Sequence, residues 1–288
     1  MNFGRVLTAM VTPFNKEGGV DYEQTSILIE YLLDNGTQGL VINGTTGESP
    51  TLSIEEKIQL IKHVVDTVKR RVPVIAGTSS NDTLASIALT KKAEEVGVDA
   101  AMVVAPYYNK PTQRGMYAHF KAIAGETSLP VMLYNIPGRS VVKMDAETII
   151  ELSKIDNIVS VKEASCDLDL AAEVIERTSD DFTLYSGEDG LTLPLLAVGA
   201  DGVISVASHI IGNELQEMIQ LYKSGEVNEA AAKHRQILPL MRGLFKQPSP
   251  APVKAALQMK GLDTGIVRLP LLALTEEEKA ELKELIDQ

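Results

Sequence analysis

Cysteine is almost missing from this chain: Cys166 is the only one in 288 residues. A single thiol excludes an intrachain disulfide framework and suits a reducing compartment, so a cytoplasmic setting is expected. Basic charge is also scarce, with 27 Lys and Arg against 39 Asp and Glu and a net charge of −12. That balance argues against nucleic-acid phosphates and anionic membrane surfaces as partners. No apolar run approaches the roughly 20 residues that span a bilayer. Met1 to Phe14 is too weakly apolar for a secretory signal and meets Pro13 early. The histidines are only four, His63, His119, His209 and His234, without His-x-His or HExxH spacing. Metal catalysis is therefore not expected, and neither is a cofactor. His209 alone follows a predicted strand, where a packed or solvated imidazole is the simpler reading. A glycine-rich phosphate loop after the first strand is missing as well, which weighs against a doubly wound open sheet.

What is present is ample apolar material, 44% of the residues, in a length ordinary for one α/β barrel. Short β-branched runs alternate with amphipathic segments. Strands are expected at Leu7–Val11, Gly39–Ile42, Val72–Ala76, Ala100–Ala105, Pro130–Tyr134, Ile158–Val161, Phe182–Tyr185 and Gly202–Ser205. Helical spacing falls between them, with Asn35-Gly36 as a stop and Ser53 and Glu56 as a capping box. Eight repeats of this alternation predict a closed (β/α)8 TIM barrel over residues 1–211. Residues 212–288 show only helical patterns, including a second capping box at Thr275 and Glu278. They are expected as a C-terminal helical extension packed on the barrel, joined by no low-complexity linker.

Chemistry in such a barrel gathers at the carboxyl ends of the strands. Thr45-Thr46, Tyr107-Tyr108, Tyr134-Asn135, Lys162, Ser186-Gly187-Glu188-Asp189 and Ser205 all fall there. The organising stretch is Ile158-Val159-Ser160-Val161-Lys162, an apolar strand running into a lysine. Taken alone, a strand-end lysine snorkels into solvent. Buried, its pKa falls from about 10.4 towards neutrality, and the free amine becomes an imine-forming nucleophile. Hydroxyl groups can relay the protons, and a tyrosine joins as acid or base if a neighbouring cation lowers its pKa. Gly44-Thr45-Thr46-Gly47-Glu48 has the make-up of an anion-binding turn, and equally of an ordinary βα loop. Arg139, on the stiff turn Ile136-Pro137-Gly138-Arg139, suits a carboxylate if it is not a surface arginine. Cys166, close to Lys162 in sequence, reads as a small half-buried thiol.

The stretches Gly44-Thr45-Thr46-Gly47-Glu48-Ser49, Pro106-Tyr107-Tyr108-Asn109-Lys110-Pro111, Tyr134-Asn135-Ile136-Pro137-Gly138-Arg139 and Val161-Lys162-Glu163-Ala164 resemble the dihydrodipicolinate synthase family. This family lies within the pyruvate-dependent class I aldolases and lyases that include N-acetylneuraminate lyase. The similarity runs from about Leu7 to Leu271. The resemblance implies an imine between Lys162 and pyruvate, with Tyr134 as general acid and base. Thr45 would link Tyr134 to Tyr108, which reaches in from a neighbouring subunit. Thr46, with Gly187 and the backbone near Ile204, would hold pyruvate, and Arg139 the carboxylate of L-aspartate 4-semialdehyde. The product would be 4-hydroxy-tetrahydrodipicolinate, at the entry to diaminopimelate and lysine biosynthesis. Family members are usually homotetramers, dimers of dimers.

Two other classes fit the same motifs less well. A 2-keto-3-deoxy sugar acid aldolase or an N-acetylneuraminate lyase-like enzyme would use the same lysine, but Arg139 and the threonine pair favour the synthase. A non-catalytic small-molecule-binding barrel needs no activated amine. Relatives inhibited by lysine bind it at positions matching Ser49, Pro50, Ile54, Lys57, Asn81, Ala85 and Tyr107. Ile54, Lys57 and Ala85 offer a cationic ligand no carboxylate here, so insensitivity to millimolar lysine is expected.

Overall fold

The computed structural model describes residues 3–287. Residues 1, 2 and 288, the outermost positions of the two expected regions, lie outside the described residues. Eight parallel strands close into one barrel in sequence order. They are β1 (Val6–Ala9), β2 (Gly39–Ile42), β3 (Val74–Gly77), β4 (Ala100–Val104), β5 (Val131–Asn135), β6 (Ile158–Glu163), β7 (Thr183–Ser186) and β8 (Gly202–Ser205). Nearly every strand residue is buried on both faces, as a parallel sheet wrapped in helices requires. Lateral order follows sequence order because each strand is followed by a crossover helix that returns the chain to the same edge.

The connecting helices are α1 (Tyr22–Asp34), α2 (Ile54–Val68), α3 (Thr83–Val96), α4 (Gln113–Ala124), the single turn α5 (Pro137–Ser140), α6 (Ala146–Leu152), α7 (Leu168–Arg177) and α8 (Thr192–Ala197). Their starts are set by side chains that accept from otherwise orphaned amides. Asp21 accepts from Gln24, Asp82 from Leu84 and Ala85, and Ser53 with Glu56 forms the expected reciprocal box. The stretch read as a stiff turn around Arg139 is helical, α5, begun by Pro137 in its first turn. β6 runs two residues beyond the strand expected from sequence and takes Lys162 and Glu163 into the ladder. Pairing decides this, because Tyr134 stands opposite Lys162 and Asn135 opposite Glu163.

The chain then continues through α9 (Ser208–Lys223), α10 (Val227–Gly243), α11 (Ala251–Met259) and α12 (Glu276–Ile286). A kink at Ile211 (φ −126°, ψ 39°) splits α9 where the sequence reading divides barrel from tail. Beyond the kink α9 lies over β1 and β8 and beside α1, so it completes the ring of helices around the barrel. Gly212 permits that approach, since a Cβ there would stand 2.1 Å from the carbonyl oxygen of Asn35. α10 packs on α9, and α11 and α12 pack on this pair and on each other, so the tail grows outward from the barrel wall. Thr275 and Glu278 form the second capping box.

Candidate active site

Lys162 comes from β6 and is only 5% exposed. Its Nζ stands 4.3 Å from the ring centroid of Tyr134, its neighbour across the β5–β6 ladder. Among the described residues no carboxylate makes an ion pair with it. Burial is the main force on the amine and brings its pKa down to about 8, with the Arg139 charge acting in the same direction. The carboxylates of Asp189 and Glu188 oppose this in part. The loop after β7 lies directly against the lysine stem. A Cβ on Gly187 would meet Ala164 Cβ at 2.7 Å and Lys162 Cε at 3.1 Å, so only glycine fits. Gly187 N–H also donates to Glu163 O at 2.7 Å, which pins the loop to β6.

Tyr134, itself buried, lines the cavity together with Thr45, whose hydroxyl acts to lower the phenol pKa. The sequence argument required a neighbouring cation to lower its pKa. Arg139 does act that way, but burial outweighs it and the phenol ends well above its ordinary range. Tyr134 is therefore held protonated, able to pass a proton along a hydroxyl chain but not resting as phenolate. Thr45 and Thr46 lie in a tight turn after β2, closed by Glu48 N–H to Thr45 O (3.0 Å) and Ser49 N–H to Gly44 O (3.3 Å). Thr45 is half-buried and Thr46 buried. Ile204 is buried in β8, in register with Leu7.

Thr45, Tyr134 and Arg139 line a single cavity of about 270 Å³ with Tyr107, Lys57 and Ser49. That is room for small organic acids rather than a large cofactor. Arg139 stands on α5, its side chain exposed to solvent at the cavity edge. Tyr108 is not brought to this cavity by its own chain. It is 87% exposed and holds a left-handed backbone (φ +72°), a conformation bulky residues seldom adopt. Cys166 is exposed rather than half-buried, and its surroundings push the thiol pKa up, away from nucleophilic use. His209 is packed: its Nδ1–H donates to Val206 O and its Nε2 accepts from Val11 N–H. Burial lowers its pKa to about 4, so it is neutral.

Sequence reasoning placed Asp189 on the rim and Glu163 beside Lys162 but gave neither acid a buried, structural role. Glu163 accepts from Asn135 Nδ2 at 2.9 Å and from the Ser165 amide, and Asn135 Oδ1 accepts from Met144 N–H at 3.0 Å. This locks the ends of β5 and β6 beside the lysine. Asp189 accepts from the amides of Val206 and Ala207 at 3.1 and 2.9 Å and so holds the β8 end. The available signal was an acid immediately following an apolar strand, as in Lys162-Glu163. Such residues pass for ordinary polar loop positions until the ladder shows them buried.

Fold and site together define a (β/α)8 barrel with a desolvated lysine on β6, set against Tyr134, which itself lines the cavity at the carboxyl rim. The dihydrodipicolinate synthetase family model matches residues 2–288, and the chain belongs to that family. It is 60% identical over 288 residues, covering 100% of both chains, to a 4-hydroxy-tetrahydrodipicolinate synthase of Bacillus velezensis. Among solved structures, the dihydrodipicolinate synthase of Bacillus anthracis superposes with a TM-score of 0.99 at 59% identity, covering 100% of this chain and 99% of that one. The Cyanidioschyzon merolae enzyme, crystallised with lysine bound, gives 0.97 at 46% identity, covering 99% and 97%.

Proposed function

We propose that this protein is a Schiff-base-forming lyase that condenses pyruvate with L-aspartate 4-semialdehyde to 4-hydroxy-tetrahydrodipicolinate, the entry step of diaminopimelate and lysine biosynthesis. The observation that carries the reading is Lys162, a buried amine with a pKa near 8 and no paired carboxylate among the described residues, set against Tyr134. At pH 7 about a tenth of such an amine is neutral and nucleophilic. Lys162 adds to C2 of pyruvate and expels water to form the imine. Loss of a C3 proton gives the enamine, whose C3 attacks the aldehyde carbon. The amino group of the second substrate then attacks C2 and releases Lys162 as the ring closes.

The proton transfers run through Tyr134 and Thr45, a reading supported by their shared place on the cavity lining. Tyr108 completes the relay from a second subunit in a homotetramer built as a dimer of dimers. Its exposure and strained backbone support that reading, because a bulky side chain held outward at such a cost has a partner to meet. Thr46, Gly187 and the β8 end near Ile204 hold pyruvate, and Arg139 captures the aldehyde's carboxylate. The enzyme acts on small soluble substrates in the cytoplasm, without a metal or cofactor.

Two measurements test the reading. Borohydride reduction with pyruvate should add the mass of the reduced adduct at Lys162, and Lys162→Ala should abolish it. A binding-only barrel would give no adduct. Turnover should be found with L-aspartate 4-semialdehyde. Efficient cleavage of N-acetylneuraminate or a 2-keto-3-deoxy sugar acid in its place would reassign the substrate.

A further inference from the structure

Glu48 ends the turn that carries Thr45 and Thr46, and its backbone is left-handed (φ +55°), unusual for a residue other than glycine or asparagine. Its carboxylate turns away from the cavity into the protein, where the residue is 3% exposed. Oε1 stands 2.8 Å from Lys254 Nζ of α11, a charge contact rather than an aligned hydrogen bond. Oε2 accepts the backbone N–H of Arg268 at 2.8 Å. Lys254 is itself buried, donates to Ile266 O at 2.7 Å and lies 4.3 Å over the ring of Phe14. The Arg268 guanidinium stacks on the same ring at 4.3 Å and bonds Glu56 and the carbonyl of Gly18. One carboxylate thus ties the threonine turn to the C-terminal tail.

The Glu48 carboxylate is engaged by Lys254 and by the Arg268 amide, and Lys254 by Ile266 O, so both side chains are directed into the tail and neither is placed to touch the reacting atoms. Buried ion pairs are poor sources of net stability, since well-packed apolar residues often do as well. Their best-attested use is to fix one arrangement against its alternatives. Here the arrangement fixed is a turn with a left-handed residue at Glu48 that places Thr45 on the cavity lining. Burial lowers the Lys254 pKa to about 8 and Glu48 works against that, keeping the amine charged at neutral pH.

We propose that the Glu48–Lys254 ion pair positions the Thr45–Thr46 turn, so that α11 of the C-terminal tail sets the affinity of the site for pyruvate's carboxylate. The inference rests on the assignment of pyruvate to that turn. Both residues are positioning residues. A sub-ångström to ångström shift of such a turn is worth on the order of 10- to 100-fold in substrate affinity.

The test uses the full-length protein and measures the pyruvate concentration that half-saturates borohydride trapping at Lys162, with KM for both substrates. Lys254→Met should raise half-saturation by about 10-fold or more. Trapping at saturating pyruvate should persist and KM for the aldehyde should change little. The double variant Glu48→Gln/Lys254→Met, which buries no lone charge, should fold and still show the weakened pyruvate affinity. Unchanged pyruvate half-saturation in either variant, or equal rises in both KM values, overturns the positioning role. Absence of trapping in the unaltered protein overturns the functional assignment instead, so the two failures are distinguishable.

Discussion

Lys162 and Lys254 are both buried, both lie against an aromatic ring at 4.3 Å, and burial lowers the pKa of each to about 8. By those measures they are the same residue. Their partners separate them. Lys254 faces the Glu48 carboxylate and a backbone carbonyl, so its protons are taken up by fixed acceptors. Lys162 has a ring, a glycine-lined loop and carboxylates that act only from a distance. A shifted pKa therefore does not identify a nucleophile. The shift marks desolvation, and the absence of a bound acceptor leaves the lone pair available to a carbonyl carbon.

The strongest way to break the comparison is deletion of each amine. Lys162→Ala should remove the trappable imine and lower turnover by several orders of magnitude, whereas Lys254→Met should keep the imine at saturating pyruvate. Stability should move in opposite directions. A charged Lys162 with its pKa near 8 rather than 10.5 costs the fold about 3 kcal/mol at pH 7. The sign follows because the folded state binds its proton less tightly than the unfolded state. The cost is complete below about pH 8 and fades as pH rises towards 10.5. Lys162→Met should therefore raise the urea midpoint at pH 7. Lys254→Met leaves Glu48 buried and unpaired, and should lose about 3–5 kcal/mol. A fall in both variants would show that the two sites are alike after all.

Tyr108→Phe should cost on the order of 10²-fold in kcat, and forced monomers should lose activity similarly, if the phenol relays protons across subunits. Full activity in a form shown to be monomeric by sedimentation counts against that role. Arg139→Ala should raise KM for the aldehyde by roughly 10- to 150-fold and KM for pyruvate much less, the worth of a charged hydrogen-bond pair. Equal effects would make Arg139 structural. The initial rate of imine formation at limiting pyruvate should rise about fivefold from pH 7 to pH 8 and flatten above, following the free amine. A profile still climbing steeply at pH 10 would mean that Lys162 is not desolvated in solution. The smallest effect expected is that of L-lysine. Ile54 is 49% exposed and apolar, Ala85 is exposed, and Lys57 lines the cavity and offers a cationic ligand no acceptor, so half-inhibition should not occur below about 1 mM. Sub-millimolar inhibition in a rate assay would show that other groups supply the missing contacts.

Much of this was legible in the chain itself. Eight short β-branched runs separated by amphipathic segments leave a parallel barrel as the natural closed solution, because every strand must be buried on both faces. Capping residues such as Ser53 and Thr275 act within one turn, so local sequence was enough to find them. Lys162, Tyr134 and Thr45 could be placed on one rim from the sequence because strand ends converge there by the rule of the fold. Burial and partnership across distant elements were not legible. The sequence expected Lys162 just past its strand, but the β5 ladder carries it inside. It required a lowered tyrosine pKa, whereas burial, a property of all the neighbours at once, raised it. It set Gly212–Lys223 apart from the alternation, and packing over β1 and β8 returned that helix to the ring. The Glu48–Lys254 contact spans 206 positions and leaves no local pattern. Pattern and spacing thus determined which elements form and which side chains reach the rim, because those depend on neighbours along the chain. Tertiary structure alone decided which of two buried lysines has no acceptor among the described residues, because desolvation and charge pairing depend on neighbours in space.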